Sequence, residues 1–355
     1  MPARKLPKLS EAKLKGKRVL VRAGLNVPIQ KGVVVDDFRL RTAVPTIKYI
    51  LKAGGTPIVI GHLEPVKGIA PVRERLQKLV GKKIEVFENL RFHEGEKKNS
   101  KAYAKELSKF GDIYVNEAFS NSHRKHASIV AITELLPSYA GLRFAEEVER
   151  LQEARAPKRP FLFILGGAKF ETKMGLLKQF SELADKVFVG GAIANSFLGA
   201  YGYEVGRSVV EPSGYKDIIK TFSKKDNIML PVDGVVPSGE VKNIEEMKAA
   251  DNILDAGPET MKALKEEIGK AKFIVWNGPL GHMEKGFNEG TDALIRMLAA
   301  SKARVIIGGG DTHQRIAALK KQKAFYHVSI GGGAMLDFLE NGTLVGIEAL
   351  LKSQK

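Results

Sequence analysis

The sequence contains no cysteine among its 355 residues. Disulfide bonds, thiolate zinc sites and a cysteine nucleophile are therefore excluded. No run approaches the ~18 apolar residues that span a bilayer, and the basic stretch 1–17 lacks the apolar segment of a secretory signal. We therefore expect a cytoplasmic protein that does not bind membranes.

Several motifs of nucleotide-binding and hydrolytic enzymes are also missing. The sequence has no G-x-x-x-x-G-K-[ST], no H-R-D or D-F-G, and no G-x-S-x-G. These absences argue against P-loop enzymes, protein kinases and hydrolases with a nucleophile elbow. No G-x-G-x-x-G joins a strand to a helix, which disfavours a dehydrogenase. His123 and His126 lie three residues apart, but no further ligand cluster accompanies them, so they do not indicate a metal site.

Acidic residues are outnumbered by basic ones. The chain has 57 Lys and Arg against 40 Asp and Glu, a net charge of +17. Such a charge attracts polyanions, whether nucleic acids or phosphorylated metabolites. The lysines are spread over amphipathic stretches such as 97–105 and 216–225, without the interleaved aromatics of a nucleic-acid module. We interpret them as solvated helix faces and expect no nucleic-acid partner; a non-catalytic nucleotide- or nucleic-acid-binding protein is kept as an alternative.

Short apolar, β-branched runs alternate with helical patterns along the chain. Helical spacing is found at 37–52 and 260–268. The predicted strands are 18–21, 57–61, 84–88 and 113–116 in the first half, and 161–165, 186–189, 227–231, 273–276, 304–307 and 326–329 in the second. Continuous apolar strands between helices are typical of parallel sheets covered on both faces. The length suits two domains, so we predict an α/β protein with two doubly wound parallel-sheet domains.

The boundary between the domains is predicted in the stretch 144–157. Residues 146–154 have the spacing of one helix, and the sequence Ala156-Pro157-Lys158-Arg159-Pro160 ends it. A stiff helix between two α/β units is a suitable hinge. We therefore divide the chain into domains 1–145 and 146–335.

Glycine follows the strands of the second half. The loops are Gly166-Gly167-Ala168-Lys169, Gly190-Gly191, Asn277-Gly278-Pro279-Leu280-Gly281, Gly308-Gly309-Gly310-Asp311-Thr312 and Gly331-Gly332-Gly333. Glycine lets backbone N–H groups approach phosphate closely, and a following helix N-terminus adds a favourable dipole. Lys169 and Lys173 could supply charge to phosphate oxygens, and Asp311 could hold Mg²⁺. This half is predicted to bind a nucleotide.

Basic and amide side chains follow the strands of the first half. They are Arg22, Asn26, Arg39, His62, Asn89, Arg91, Asn116, His123, Arg124 and His126. Ligands of open parallel sheets bind where the strands end, and arginine offers paired donors to carboxylate and phosphate. We expect a cationic pocket for a small anion here. A nucleotide on one half and an anion on the other indicate phosphoryl transfer, which needs positioning and charge neutralisation more than covalent chemistry.

Ten stretches carry a resemblance to a known family. They are VRAGLNVP (21–28), DDFRLRTAVPTI (36–47), ENLRF (88–92), VNEAFSNSHRKHAS (115–128), RPFLFILGGAK (159–169), LPVD (230–233), LDAGP (254–258), VWNGPLG (275–281) with Glu284 and Gly290-Thr291, GGGDT (308–312) and HVSIGGGAML (327–336). In this order, and over nearly the whole chain, they resemble the phosphoglycerate kinase family. The resemblance implies a glycolytic and gluconeogenic phosphotransferase with a carboxyl acceptor. Such an enzyme moves a phosphoryl group reversibly between 1,3-bisphosphoglycerate with ADP and 3-phosphoglycerate with ATP, and uses Mg²⁺. It also implies a hinge-bending monomer whose tail, 336–355, packs back on the first domain.

The resemblance also implies residue roles. The acceptor 3-phosphoglycerate would contact Gly24, Asn26, Arg39, His62, Arg91 and Arg124. The nucleotide would contact Lys169, Lys173, Gly190, Gly191, Asn277, Pro279, Gly281, Glu284, Gly309, Gly310, Asp311 and Thr312, with Asp311 on the metal. Catalysis would rest on Arg39, Lys169, Lys173, Gly310 and Gly333, with Arg39 stabilising the transferred phosphoryl group.

The departures from the family pattern lie in the first domain. The family reads VR-x-D-x-N where this chain has Gly24, and HLGRPKG where it has HLEPVKG (62–68), so Pro65 replaces a substrate-binding arginine. Glu64 or a neighbouring lysine is a candidate to compensate. The segment between Val80 and ENLRF is short, which predicts a trimmed domain with one strand fewer than the family. A relative with an altered acceptor or weak activity is therefore the alternative function.

Overall fold

The computed structural model describes residues 5–65 and 68–354, without the side chain of residue 311. These residues divide into two units. The first runs to Glu149 and takes in the chain again from Gly333; the second is Arg150–Gly332. The division predicted from the sequence lay at 145/146 and 335/336. Of the predicted tail 336–355, residue 355 lies outside the described residues.

The strands and helices follow the alternating order expected of an α/β chain. The strands are β1 (Arg18–Ala23), β2 (Ile29–Gln30), β3 (Val33–Val34), β4 (Thr56–Ile60), β5 (Glu85–Val86), β6 (Ile113–Glu117), β7 (Ser138–Ala140), β8 (Phe161–Leu165), β9 (Lys186–Val189), β10 (Ile228–Met229), β11 (Asp233–Val235), β12 (Val241–Asn243), β13 (Asp255–Ala256), β14 (Phe273–Asn277), β15 (Arg304–Gly308) and β16 (His327–Val328). The α-helices are α1 (Phe38–Lys52), α2 (Ala70–Val80), α3 (Lys101–Ser108), α4 (Leu142–Arg155), α5 (Met174–Leu183), α6 (Gly191–Ala200), α7 (Tyr215–Phe222), α8 (Pro258–Lys270), α9 (Glu289–Ala300), α10 (Gly310–Ala318), α11 (Gly333–Asn341) and α12 (Val345–Lys352).

Each unit is built on one parallel sheet. The first unit has the order β5-β4-β1-β6-β7 and the second β10-β9-β8-β14-β15-β16, and the paired strands of both are parallel. The two α/β units with parallel sheets confirm the predicted fold class. In both sheets the carboxyl ends of all strands therefore lie along one edge.

The central strands are buried on both faces. All five residues of β8 and of β14 are buried, as the continuous apolar runs predicted. In the first unit, α1 turns Leu40, Ala43, Ile47 and Ile50 into the core, the spacing of one helical face. Trp276 is fully buried in the second core and donates its Nε1–H to the carbonyl of Gly278 at 2.8 Å. The core thereby fixes the loop that leaves β14.

Some short elements were not predicted. They are β7, the β2–β3 hairpin and the antiparallel sheet β12-β11-β13. Strands of two or three residues are too short for periodicity to separate them from loops. Among the described residues, no helix combines the length and the apolar character needed to cross a bilayer.

Helix α4 passes through the division at 149/150 and is anchored in each unit. Its first turn is capped by Glu117 at the end of β6, whose Oε1 accepts the backbone N–H of Arg143 at 2.9 Å. Thr46 bridges the same carboxylate to the backbone N–H of Leu142, both at 2.9 Å. In the second unit, Tyr326 donates its hydroxyl to Glu153 at 2.8 Å. The predicted hinge helix is thus held at both ends by side chains from outside it.

We predict that Glu117 makes stability depend on pH. Burial raises the pKa of Glu117 to about 8, although Thr46 and the backbone of Arg143 donate to its carboxylate. Between roughly pH 4.5 and 8 the folded protein retains a proton that the unfolded chain releases. The free energy of unfolding therefore falls by up to about 1.4 kcal/mol per pH unit as the pH rises.

Glu117→Gln should remove this slope, since an amide does not titrate. Urea unfolding of both proteins at about pH 5, 6.5 and 8 measures it. The stability of the wild type relative to the variant is expected to fall as the pH rises through this window. If the free energies of unfolding of the two proteins change in parallel with pH, Glu117 is ionised in the folded protein throughout this range.

Candidate active site

The first sheet places most of the predicted acceptor residues at one edge. Gly24 and Asn26 follow β1, His62 follows β4, and Arg91 lies in a short 3-10 turn after β5. Arg124 follows β6. Because these strands are parallel neighbours, their loops converge. Arg39 joins them from the first turn of α1: its Nη1 donates to the backbone carbonyl of Asn26 at 3.0 Å. We call Gly24, Asn26, Arg39, His62, Arg91 and Arg124 the basic edge.

Asn26 and Asn89 tie the loops of the basic edge together. Asn26 Oδ1 accepts the backbone N–H of Glu64 at 3.0 Å. Asn89 accepts from the backbone of Leu63 at 3.2 Å and donates to its carbonyl at 2.8 Å, and its Oδ1 also accepts the N–H of Arg91 at 3.0 Å. The amides that the sequence placed at strand ends therefore hold backbone in register.

Arg22 lies beneath the basic edge. It is fully buried, and its Nη2 donates to His62 Nδ1 at 3.0 Å. Arginine has no acceptor, so His62 carries its proton on Nε2. Arg22 Nε contacts Ser128 Oγ at 3.3 Å, and Ser128 in turn donates to the buried carboxylate of Glu96 at 2.6 Å. Arg22, expected in the pocket, instead supports it from within the core.

The histidines of this region are neutral. Burial lowers the pKa of His62 to about 2, with further lowering by Arg22, Arg91 and Arg124. Burial and the same three arginines lower the pKa of His126 to about 4. Both imidazoles are thus uncharged donors near neutral pH, and the positive charge of the basic edge resides on its guanidinium groups.

Arg91 places a buried guanidinium on the basic edge. Its side chain is 4% exposed, and Nη1 pairs with Glu64 Oε1 at 2.9 Å. Nε and Nη2 are buried and have no hydrogen-bond partner among the described residues. Buried donors without partners are costly, and an anion on this edge would satisfy them. Arg124, in contrast, is exposed and donates Nε–H to His123 Nε2 at 3.2 Å.

The second sheet brings the glycine-bearing loops to its own carboxyl edge, which we call the glycine edge. The loop after β8 is bonded to the loop after β14: Gly166 N–H donates to Asn277 O and Gly167 N–H to Pro279 O, both at 2.8 Å. Gly191 has φ +59°, and a Cβ there would lie 2.6 Å from Gly167 N. No side chain fits at that contact, so the glycines are needed for the packing of the loops themselves.

Two lysines follow β8 and differ in setting. Lys173 is buried and its Nζ donates to the carbonyl of Gly166 at 2.6 Å. Lys169 is exposed on the loop. The glycine edge therefore has one buried ammonium that is held in place, on Lys173, and one exposed ammonium that can reach a ligand, on Lys169.

Two buried polar atoms of the glycine edge have no hydrogen-bond partner in the part of the chain that the structure describes. They are Asn277 Nδ2, at the last residue of β14, and Thr312 Oγ1, in the first turn of α10. Helix α10 begins at Gly310 after Gly309, whose φ is +112°. Unpaired donors beside a helix N-terminus are suited to phosphate oxygens. The side chain of Asp311, predicted to hold the metal, lies outside the described residues.

The comparisons with known proteins agree with this arrangement. The family model described as Phosphoglycerate kinase matches residues 9–87 and 69–342. The chain belongs to the phosphoglycerate kinase family. It is 37% identical over 385 aligned positions to a phosphoglycerate kinase of Dictyoglomus turgidum, covering 96% of this chain and 97% of that one. It is 39% identical over 389 positions to that of Coprothermobacter proteolyticus, covering 98% and 99%.

Solved phosphoglycerate kinase structures share the fold. The structure from Coxiella burnetii superposes with a TM-score of 0.89 at 32% identity, covering 99% of this chain and 100% of that one. The structure from Pyrococcus horikoshii gives 0.87 at 28% identity, covering 98% and 99%. The family model matches in two segments that overlap at 69–87. The change from one matched segment to the other falls where the sequence predicts that the first domain is shorter than in other phosphoglycerate kinases.

The departures from the phosphoglycerate kinase pattern differ in what surrounds them. A Cβ on Gly24 would meet only Ser120 Oγ, at an ordinary 3.6 Å, so a Cβ would not clash there. Pro65 is exposed and offers no donor. Residues 66 and 67 of the same motif lie outside the described residues. Glu64, which stands where the family motif has glycine, pairs with Arg91 of the basic edge.

All but one of the phosphoglycerate kinase positions that remain lie on the glycine edge. Thr291 is buried and its Oγ1 accepts the N–H of Leu280 at 3.0 Å, which orients the loop containing Pro279 and Gly281. Glu284 is exposed in a short 3-10 turn after that loop. A Cβ added to Gly310 would meet nothing within 4 Å. Gly333 begins α11 in the first unit, and a Cβ there would lie 4.0 Å from His123 Nε2.

Sequence reasoning missed the carboxylates that support these residues. Glu96 and Ser128, 32 residues apart, form the buried partner of Arg22. Asp255 accepts the N–H of Gly290 at 3.0 Å. Only the LDAGP stretch signalled Asp255, and nothing in the pattern signalled Glu96.

Proposed function

We propose that this protein is an active phosphoglycerate kinase, which transfers a phosphoryl group reversibly between ATP and the carboxylate of 3-phosphoglycerate. The observation that carries the proposal is the basic edge. Asn26, His62 and Arg91 lie in loops that follow parallel neighbouring strands, and Arg39 joins them from α1. Two buried N–H groups of Arg91 have no partner among the described residues and would bind an anion. Such a set suits a small metabolite with both a phosphate and a carboxylate.

On the glycine edge, we assign the nucleotide to the loops after β8, β9, β14 and β15. The unpaired Asn277 Nδ2 and Thr312 Oγ1 would donate to phosphate oxygens, together with the first backbone N–H groups of α10. Lys173 and Lys169 would add positive charge. Glu284, exposed after β14, would accept from ribose hydroxyls. Gly310 and Gly333, which carry no side chain, would leave room for the transferring group.

Mg²⁺ fits this assignment because it binds through one or two carboxylates plus substrate phosphates. Among the described residues no group of three or more His, Asp or Glu forms a metal site, and Asp311 is the carboxylate we assign. When bound, the ion would neutralise phosphate charge. Transfer further requires the two edges to come within reach, so closure about α4 belongs to the proposal.

Arg39 is the residue we assign to the transferring phosphoryl group. It lies in the first turn of α1 with Nη1 fixed on the Asn26 carbonyl at 3.0 Å, and a guanidinium remains charged at any working pH. Neutralising the charge that spreads over the transferring oxygens is the main protein contribution to such reactions. The family resemblance supports a monomer working in the cytoplasm, without a nucleic-acid partner.

A coupled assay tests the proposal. With Mg-ATP and 3-phosphoglycerate, formation of 1,3-bisphosphoglycerate is followed through glyceraldehyde-3-phosphate dehydrogenase and NADH. We expect turnover that requires both substrates. Turnover no higher than that of Arg39→Ala under the same conditions would overturn the assignment.

A further inference from the structure

Glu64 and Arg91 form an ion pair at the basic edge, and the two partners differ in exposure. Glu64 Oε1 lies 2.9 Å from Arg91 Nη1, with side chains 39% and 4% exposed respectively. Glu64 is therefore on the solvent side of the pair. Its backbone N–H donates to Asn26 Oδ1 at 3.0 Å, which holds the main chain of Glu64 beside the basic edge.

The other N–H groups of Arg91 indicate that Glu64 does not satisfy the whole guanidinium. Nε and Nη2 are buried and unpartnered among the described residues. A guanidinium satisfied only on Nη1 forfeits the bidentate interaction for which arginine is suited. An incoming phosphate or carboxylate could occupy those donors, but Glu64 repels it.

The groups around the pair also bear on this repulsion. His62 and His126 are neutral, as their lowered pKa values show. Glu64 is the carboxylate that pairs with Arg91.

We propose that the Glu64 carboxylate competes with the anionic group of the acceptor for the positive charge of Arg91. The acceptor binds to the unpartnered Nε and Nη2 of Arg91, and repulsion from the Glu64 carboxylate on Nη1 lowers its affinity. The inference rests on the proposed function, since it takes 3-phosphoglycerate as the acceptor. Sequence reasoning considered Glu64 as a compensation for the lost arginine; the geometry assigns it the opposite effect.

Glu64→Gln tests the proposal because the amide keeps the shape and removes the charge. The KM for 3-phosphoglycerate should fall about fivefold to tenfold, the equivalent of one partly exposed ion pair. The kcat and the KM for ATP should remain within about twofold of the wild type. The effect should shrink as salt screens the pair.

Glu94→Gln is the matched control. Glu94 is exposed on the same unit and pairs with Lys98 at 2.8 Å, so the variant changes the net charge equally without touching Arg91. Its KM should stay unchanged. An unchanged or raised KM in Glu64→Gln, or an equal fall in both variants, would overturn the proposal.

Direct binding separates this inference from the proposed function. Calorimetric titration with 3-phosphoglycerate, without nucleotide, should give a Kd for Glu64→Gln about fivefold to tenfold below that of the wild type. If the coupled assay shows no turnover but the Kd falls as expected, the proposed function fails and the role of Glu64 stands. If turnover is normal and the Kd does not fall, only the role of Glu64 is rejected.

Discussion

Arg39→Ala is expected to lower kcat by about 10³–10⁵-fold, the range found for arginines that stabilise a transferring phosphoryl group. The side chain lies in the first turn of α1, and its Nη1 is held by the carbonyl of Asn26 at 3.0 Å. It is therefore fixed before substrate arrives. An interaction made mainly in the transition state affects kcat more than KM, so the KM for ATP should change little.

Arg41→Ala is the matched control for this prediction. Arg41 lies two residues further along α1, is exposed, and pairs with Asp37 at 2.6 Å. Its loss removes the same charge from the same helix, and kcat should stay within about twofold. Steady-state kinetics on both variants, with circular dichroism to confirm folding, decides the matter. A kcat for Arg39→Ala within tenfold of the wild type would reject its role on the transferring group.

Lys173→Met is expected to lower kcat by about 10²–10³-fold, the effect of removing one preorganised charge or donor from a dry site. The ammonium is buried and donates to the carbonyl of Gly166 at 2.6 Å, so its position is set by the loop that follows β8. Methionine nearly fills the same space without the charge. Weaker binding of Mg-ADP, measured by calorimetry, should accompany the loss of kcat.

The control for Lys173→Met is Lys178→Met on α5. Lys178 is exposed, and its replacement should leave both kcat and nucleotide affinity unchanged. If Lys173→Met retains kcat, the catalytic role of Lys173 is rejected. A loss of thermal stability without a loss of kcat per folded molecule would show that Lys173 serves only to hold the loop.

The sequence sufficed for the parts of the fold that depend on local pattern. The apolar runs at 161–165 and 186–189 predicted β8 and β9 to the residue. Because parallel strands share a direction, their ends converge, and the basic and glycine edges followed from the residues placed there. The missed strands have two or three residues each, and their pairing is decided by tertiary contacts; they are β2, β3, β7, β11, β12 and β13.

The parts of the site that could not be predicted depend on long-range side-chain partners. Arg22 was predicted to line the pocket because it lies near the end of a strand. Its side chain instead points into the core and contacts Ser128. The pairing of Glu64 with Arg91 depends on the path of two loops that approach through Asn26 and Asn89. Neither spacing nor composition specifies such a path.

The central claim is that the acceptor of the phosphoryl group is a carboxylate. Hydroxylamine trapping tests it most directly, because hydroxylamine converts an acyl phosphate into a stable hydroxamate but does not react with a phosphate ester. With wild-type protein, Mg-ATP and 3-phosphoglycerate, we predict one hydroxamate for each ADP released, and neither product in the absence of 3-phosphoglycerate. ADP released without hydroxamate would contradict the account.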